Sequence, residues 1–191
     1  AEALADALGD EERRARCDYY LAYVVSHHGE FREALDLCDR SRAAFDRMDR
    51  PWDQAANALF AARAAISAGD HERSIEARDQ VERWLAVVDD PWLHVRHEAM
   101  LGELARLEGR FDDAVRHLER AAATSRRLGF QQTEAYQVAS LGRARCQAGD
   151  DEAGAATLAL AVEKAAATGD VRMVALARVH LGRVQRALGR D

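Results

Sequence analysis

The sequence predicts an all-α repeat fold, built from antiparallel helix pairs that follow one another along the chain. Three observations carry this expectation. Alanine and leucine dominate the apolar residues, aromatics make up only 6% and there are two prolines, a composition suited to packed helices rather than sheets. Apolar residues recur at i, i+3, i+4 and i+7, as in Leu101, Leu104 and Ala105, and again in Phe111, Ala114, Val115 and Leu118, which is one face of a helix. Glycines recur every 40 residues, at Gly29, Gly69, Gly109, Gly149 and Gly189. Eight positions before each stands Leu21, Ala61, Leu101, Leu141 or Leu181, and five positions after the first four stands Ala34, Ser74, Ala114 or Gly154. Columns held in phase along a whole chain mark an internal repeat.

Each period reads as helix A, a tight turn and helix B. The periodic glycine interrupts the apolar stripe, as expected of a residue that accepts positive φ at a helix end. Acidic residues follow it, Glu30, Asp70 and Asp150 directly and Asp112 and Asp113 slightly later, where they suit the start of the next helix. The junctions between periods are also in register. "DRPWD" at 49–53 and "DDPWL" at 89–93 place Pro51 and Pro91 in a first helical turn, where a missing N–H costs little. The A helices are expected near 11–28, 51–68, 91–108, 131–148 and 171–188, and the B helices near 31–48, 71–88, 111–128 and 151–168. The chain thus reads as one repeat domain over 1–191, with repeats at 11–48, 51–88, 91–128 and 131–168 and a final helix at 171–188. Residues 1–8 match the tail of a preceding B helix, and Asp191 stands where a further B helix would begin. The segment therefore reads as a piece of a larger protein.

The columns spell a motif. "LG" at Leu101–Gly102, Leu141–Gly142 and Leu181–Gly182, the small residues Ala114 and Gly154, the larger Leu118 and Leu158, and Ala121 and Ala161 resemble the helix-A and helix-B signatures of tetratricopeptide (TPR) repeats. The resemblance covers essentially the whole chain and is strongest from 91 to 188. Earlier units depart from it, with Leu21–Ala22 and Ala61–Ala62 in place of Leu-Gly, and Arg78 where Leu118 stands. It implies an α-solenoid, a right-handed superhelix, that acts as a protein–protein interaction scaffold. The usual period is about 34 residues, and HEAT-type repeats of about 40–47 are the structural competitor. Long TPR-like repeats also resemble the C-terminal helical regions of large bacterial transcription activators of the LuxR and maltose-regulator type, which implies a segment of a transcriptional regulator.

Charge narrows the partners. The formal net charge is −6, the reverse of a general nucleic-acid binder, so no direct nucleic-acid contact is expected. Lys164 is the only lysine among many arginines. Cys17, Cys38 and Cys146 are odd in number and widely spaced, which argues against a disulfide framework and for a reducing cytoplasm. No apolar run approaches the roughly 18 residues that span a bilayer, so no membrane association is expected.

The family resemblance implies a concave face lined by helix A. Three matching columns can be read from it: Tyr23, Arg63, Glu103, Arg143 and Arg183; then Tyr19, Leu59, Ala99, Ala139 and Val179; then Arg16, Ala56, Arg96, Tyr136 and Leu176. Ile66, Arg106, Cys146 and Arg186 lie further along. Guanidiniums offer paired donors to carboxylates and tyrosines offer rigid contact area. The candidate partner-binding residues are therefore Arg16, Tyr19, Tyr23, Arg63, Arg96, Glu103, Arg106, Tyr136, Arg143, Arg183 and Arg186, facing an acidic peptide, a helix or another domain. Self-association into a homodimer is the alternative.

No enzymatic motif stands out, and neither a cofactor nor a metal is expected. His94 and His97 share a helical turn, but Leu101 occupies the place a second metalloprotease histidine would take, so surface or packing roles are expected for both. His27 and His28 read as helix C-terminal residues. Cys38 shares the column of Leu118 and Leu158 and should be core, whereas Cys146 should face the groove. Trp52 and Trp92 share a register beside the prolines and should seal one repeat against the next, with Trp84 covering the same seam; exposure of any of them would indicate a docking patch.

Overall fold

The computed structural model describes residues 10–190, and the helix tail expected at 1–8 lies outside them. Among the described residues all regular structure is helical. In order these helices are α1 Glu11–His27, α2 Phe31–Arg47, α3 Pro51–Ala68, α4 His71–Leu85, α5 Pro91–Leu107, α6 Phe111–Leu128, α7 Gln131–Gln147, α8 Asp151–Ala167 and α9 Val171–Ala187. None is long and apolar enough to cross a membrane.

Local chemistry sets the ends. Gly29, Gly69, Gly109, Gly149 and Gly189 all have positive φ, between 70 and 93°, so each periodic glycine takes the left-handed conformation that side chains resist. Asp49, at φ 50°, holds a left-handed position at the register of Gly129 and Gly169, a conformation that Asp tolerates better than most residues. Asp10, Asp70, Asp150 and Asp170 each accept a backbone N–H three residues on, closing the first turns of α1, α4, α8 and α9. Glu30 stands at the start of α2 without such a bond. Helix α4 stops at Leu85, short of the expected 88. Pro91 forces the residues before it out of helical geometry, and Asp90 accepts from the N–H groups of Trp92 and Leu93 to begin α5. Val87, Val88 and Asp89 are thereby left in a turn.

The chain forms two compact units that divide between Met100 and Leu101, within α5. In the first, α1 packs on α2, α2 on α3 and α3 on α4, and α1 also touches α3. Its core joins Ala22, Leu37, Cys38 and Phe60 in one cluster and Ala15, Ala44 and Phe45 in another. A buried polar link crosses it: Ser41 Oγ donates to Asn57 Oδ1 at 3.4 Å, and Asn57 Nδ2 donates to the Cys38 carbonyl at 2.8 Å. Buried Asp18 accepts from Arg40 Nε at 3.1 Å.

In the second unit, α6, α7, α8 and α9 pack in succession and α7 also touches α9. Ala105, Ala114, Leu118, Leu141 and Ala144 form one cluster. Ala139, Ala161, Ala165 and Ala177 form another with Val138 and Met173. Glu134, also buried, accepts from Arg126 Nε at 2.8 Å and pairs with Lys164 Nζ at 2.9 Å, tying α6, α7 and α8 together.

The glycines of the repeat motif are required by close approach. A Cβ on Gly102 would lie 2.6 Å from Leu118 Cγ, and one on Gly142 would lie 2.7 Å from Leu158 Cγ and 3.1 Å from the Leu158 backbone nitrogen. Leu118 and Leu158 are fully buried, so neither has room to retreat. Gly142→Ala is therefore expected to destabilise the protein by about 1–3 kcal/mol through overpacking. Urea denaturation checks this: the midpoint should fall, and an unchanged midpoint would show that the helices can part without cost.

Candidate functional site

Each unit presents a distinct helix-A surface. In the first it is aromatic. Tyr19 meets Tyr20 edge-on with centroids 5.1 Å apart and Phe60 at 5.2 Å, and Tyr23 meets Phe60 at 5.3 Å. Arg63 lies over both Phe60 and Tyr23, 4.9 and 5.7 Å from the centroids, and donates to Ser26 Oγ at 3.0 Å. Burial pushes the Tyr19 hydroxyl up to about 12, so this tyrosine acts as packing surface, not as an acid. Trp52 and Trp92, one repeat apart, stack at 5.9 Å with planes 25° apart, and Arg96 lies 5.4 Å over the Trp92 ring.

Beside the stacked indoles a cavity of about 680 Å³ opens. Tyr19, Tyr20, Trp52 and Trp92 form its aromatic walls, and Val87, Val88 and Asp89, the turn left by the early end of α4, form another side. Arg16, Arg50 and Asp53 line it as well. Arg50 pairs with Glu12 at 2.8 Å and Asp53 at 2.9 Å, and Arg16 pairs with Glu12 at 3.2 Å. Trp52 keeps 41% of its surface exposed and Tyr20 62%. The tryptophans thus do join successive repeats, and Trp52 is exposed as a docking patch would require.

In the second unit the surface is cationic. Glu103 on α5 accepts from Arg106 Nε at 2.9 Å, one turn along, and from Arg143 on α7 at 2.7 Å. Arg143 also donates to Ser140 Oγ at 3.2 Å, and Arg106 to Gln147 Oε1 at 3.3 Å. Burial pushes the Glu103 carboxyl up, but Arg143 and Arg106 outweigh it and hold the group below the usual carboxylate range. On α9, His180 is held below the ordinary histidine value, first by burial and then by Arg143, Arg183 and Arg106. Arg183 and Arg186 are exposed, and no carboxylate among the described residues pairs with either.

Known structures share this architecture. A Podosopora anserina kinesin-light-chain-type protein with nearly identical TPR-like repeats is 23% identical, with a TM-score of 0.62 over 94% of this chain and 89% of that one. A second structure of that protein gives 20% identity and a TM-score of 0.64 over 93% and 88% of the two chains. The Pyrococcus horikoshii signal-transduction ATPase with numerous domains, which carries a tetratricopeptide repeat sensor, is 14% identical with a TM-score of 0.71; the match covers 93% of this chain and 27% of that one. The fold is TPR-like. No family model and no curated protein sequence matches the chain.

Against the sequence expectation, the candidate residues separate into groups. Arg16 and Tyr19 line the cavity, with Arg96 against one of its indoles. Tyr23 and Arg63 form an adjoining aromatic–cation pair. Glu103, Arg106 and Arg143 form a clamp, with Arg183 close enough to act on His180. Tyr136 stands apart from that clamp: its hydroxyl accepts from Arg172 at 2.5 Å while its ring packs on the α7–α9 core. Tyr20, Phe60 and His180 were missed, although they share one register, 40 residues apart in pairs through Met100 and Ser140.

The remaining chemistry is structural. Cys146 is half-buried. A Cβ on Gly154 would lie 2.1 Å from its sulfur, so the thiol occupies the space that glycine vacates on α8. Burial and then Asp151 push its pKa up, which disfavours the reactive thiolate. Cys38 is buried, and its thiol is pushed up to about 12 by burial. His94 Nε2 lies 3.1 Å from Asp89 and His97 Nε2 lies 3.8 Å from Glu82, so the two imidazoles address different carboxylates. Among the described residues no group of three or more potential ligands could hold a metal.

Glu103 makes stability pH-dependent. Its folded pKa is depressed, so its contribution is present above the unfolded carboxylate range, about 4.3, and is lost as pH falls through the folded value. Glu103→Gln is expected to lower stability at pH 7 by roughly 1–3 kcal/mol, with the gap to the parent narrowing as pH falls below the unfolded carboxylate range. Denaturant titrations at pH 7 and across the acid range check this; a gap that stays constant would show that charge is not what the clamp supplies.

Proposed function

We propose that the chain is a protein-interaction scaffold and that the helix-A face of its second unit receives an acidic segment, supplied by a partner peptide, a helix or another domain of the same protein. The observation that carries this reading is the excess of cations on the helices of that unit: Arg106 and Arg143 share one carboxylate, Glu103, while Arg183 and Arg186 on α9 are exposed, on a chain whose formal charge is −6. The lowered pKa of His180 comes first from burial, and Arg143, Arg183 and Arg106 add to it by disfavouring an added proton. Arg143 is held in place by Glu103 and Ser140, and exposed Arg183 supplies the paired donors that suit a carboxylate.

We further propose that the scaffold belongs to a larger bacterial transcriptional regulator of the cytoplasm. The likeness to a multidomain signal-transduction ATPase with a tetratricopeptide repeat sensor supports this setting, since the match spans only 27% of that longer chain.

A fluorescein-labelled peptide of alternating Glu and Ala tests the acidic preference. It should bind with an affinity that falls as salt rises. The double variant Arg183→Glu/Arg186→Glu, at exposed positions, should weaken binding about ten-fold, or roughly 1.4 kcal/mol. Equal affinity of parent and variant, measured by fluorescence anisotropy, would remove this face as the site.

A further inference from the structure

We infer that the cavity of the first unit is a receptor for an arginine side chain of a partner peptide. This inference does not rest on the proposal for the second unit, since it concerns other residues and the opposite charge. The walls are aromatic faces, Trp52 and Tyr20 among them, that remain substantially exposed. Aromatic faces attract cations, and guanidiniums also stack on them. The same unit already uses this contact twice, with Arg63 over Phe60 and Arg96 over Trp92.

The charges at the cavity select a cation. Arg50 and Arg16 are answered by Glu12, and Arg50 also by Asp53. Asp89, on the turn that borders the opening, has a fully exposed side chain and meets the imidazole of His94. An incoming guanidinium can therefore lie on the Trp52 face and direct its N–H donors at Asp89. A carboxylate in that place would meet Asp89, with Arg16 and Arg50 already engaged by Glu12 and Asp53. The volume, about 680 Å³, falls within the range of small-ligand sites, which is ample for one long side chain and the adjoining backbone. The net charge of −6 would also draw a basic segment toward the chain.

The probe is the capped tripeptide Ac-Ala-Arg-Ala-NH2, titrated while the indole N–H resonances of Trp52 and Trp92 are followed by NMR and assigned by substitution. Its comparators are the citrulline peptide, equal in shape but uncharged, and the glutamate peptide. The arginine peptide should shift both resonances saturably and bind at least about five-fold more tightly than either comparator. Asp89→Asn, at an exposed position, should reduce its affinity to that of the citrulline peptide without changing Tm, and Trp52→Ala should abolish the effect on Trp92. The inference is overturned if no saturable shift occurs, if the citrulline or glutamate peptide binds equally well, or if Asp89→Asn binds as the parent does.

Discussion

Helix A and helix B of each pair meet across a register where almost no side chain is allowed. Ala22 and Ala62 fill that register in the first unit, both fully buried, and Gly102 and Gly142 fill it in the second. The partners across the contact are large where the register is smallest: Leu118 faces Gly102, and Leu158 faces Gly142. Interiors packed to this density respond to a single added carbon. The arrangement of the helix-A surfaces follows from this contact. Once the helices are locked at close range, the outward columns of successive A helices are brought side by side, and residues 40 apart in sequence become neighbours. Trp52 reaches Trp92, and Glu103 reaches Arg143, for this reason.

The repeat was legible in the sequence because its signals are local or strictly periodic. A glycine at positive φ, an aspartate three residues before a free N–H, and an apolar stripe of helical period each act within one turn. Helix α4 departs from the periodic expectation because its end is set by Pro91 and Asp90, and not by the glycine column. That small departure matters, since it supplies the valine and aspartate wall of the cavity.

The sites were legible only in part. The columns identified Arg16, Tyr19, Arg63, Glu103 and Arg143 as surface residues of helix A, but a column does not say whether its members attract one another. Glu103 neutralises part of the arginine column that contains it, and Arg63 is engaged by Phe60 and Tyr23. Such pairings depend on side-chain reach between neighbouring helices, which residue spacing does not encode. Cys146 shows the same limit: its direction is decided by the absence of a side chain on Gly154, in another helix.

The Glu103 clamp bears on how readily its face can be occupied. A long guanidinium side chain that is free in solution must give up rotamer freedom when a ligand captures it, at a cost of roughly 0.5–1.5 kcal/mol. Arg143 and Arg106 have surrendered that freedom already, on folding, to a carboxylate from the same protein. Ordering is thus spent before any encounter: an acidic segment bound as proposed would find Arg106 and Arg143 already fixed, with only exposed Arg183 and Arg186 left to be ordered.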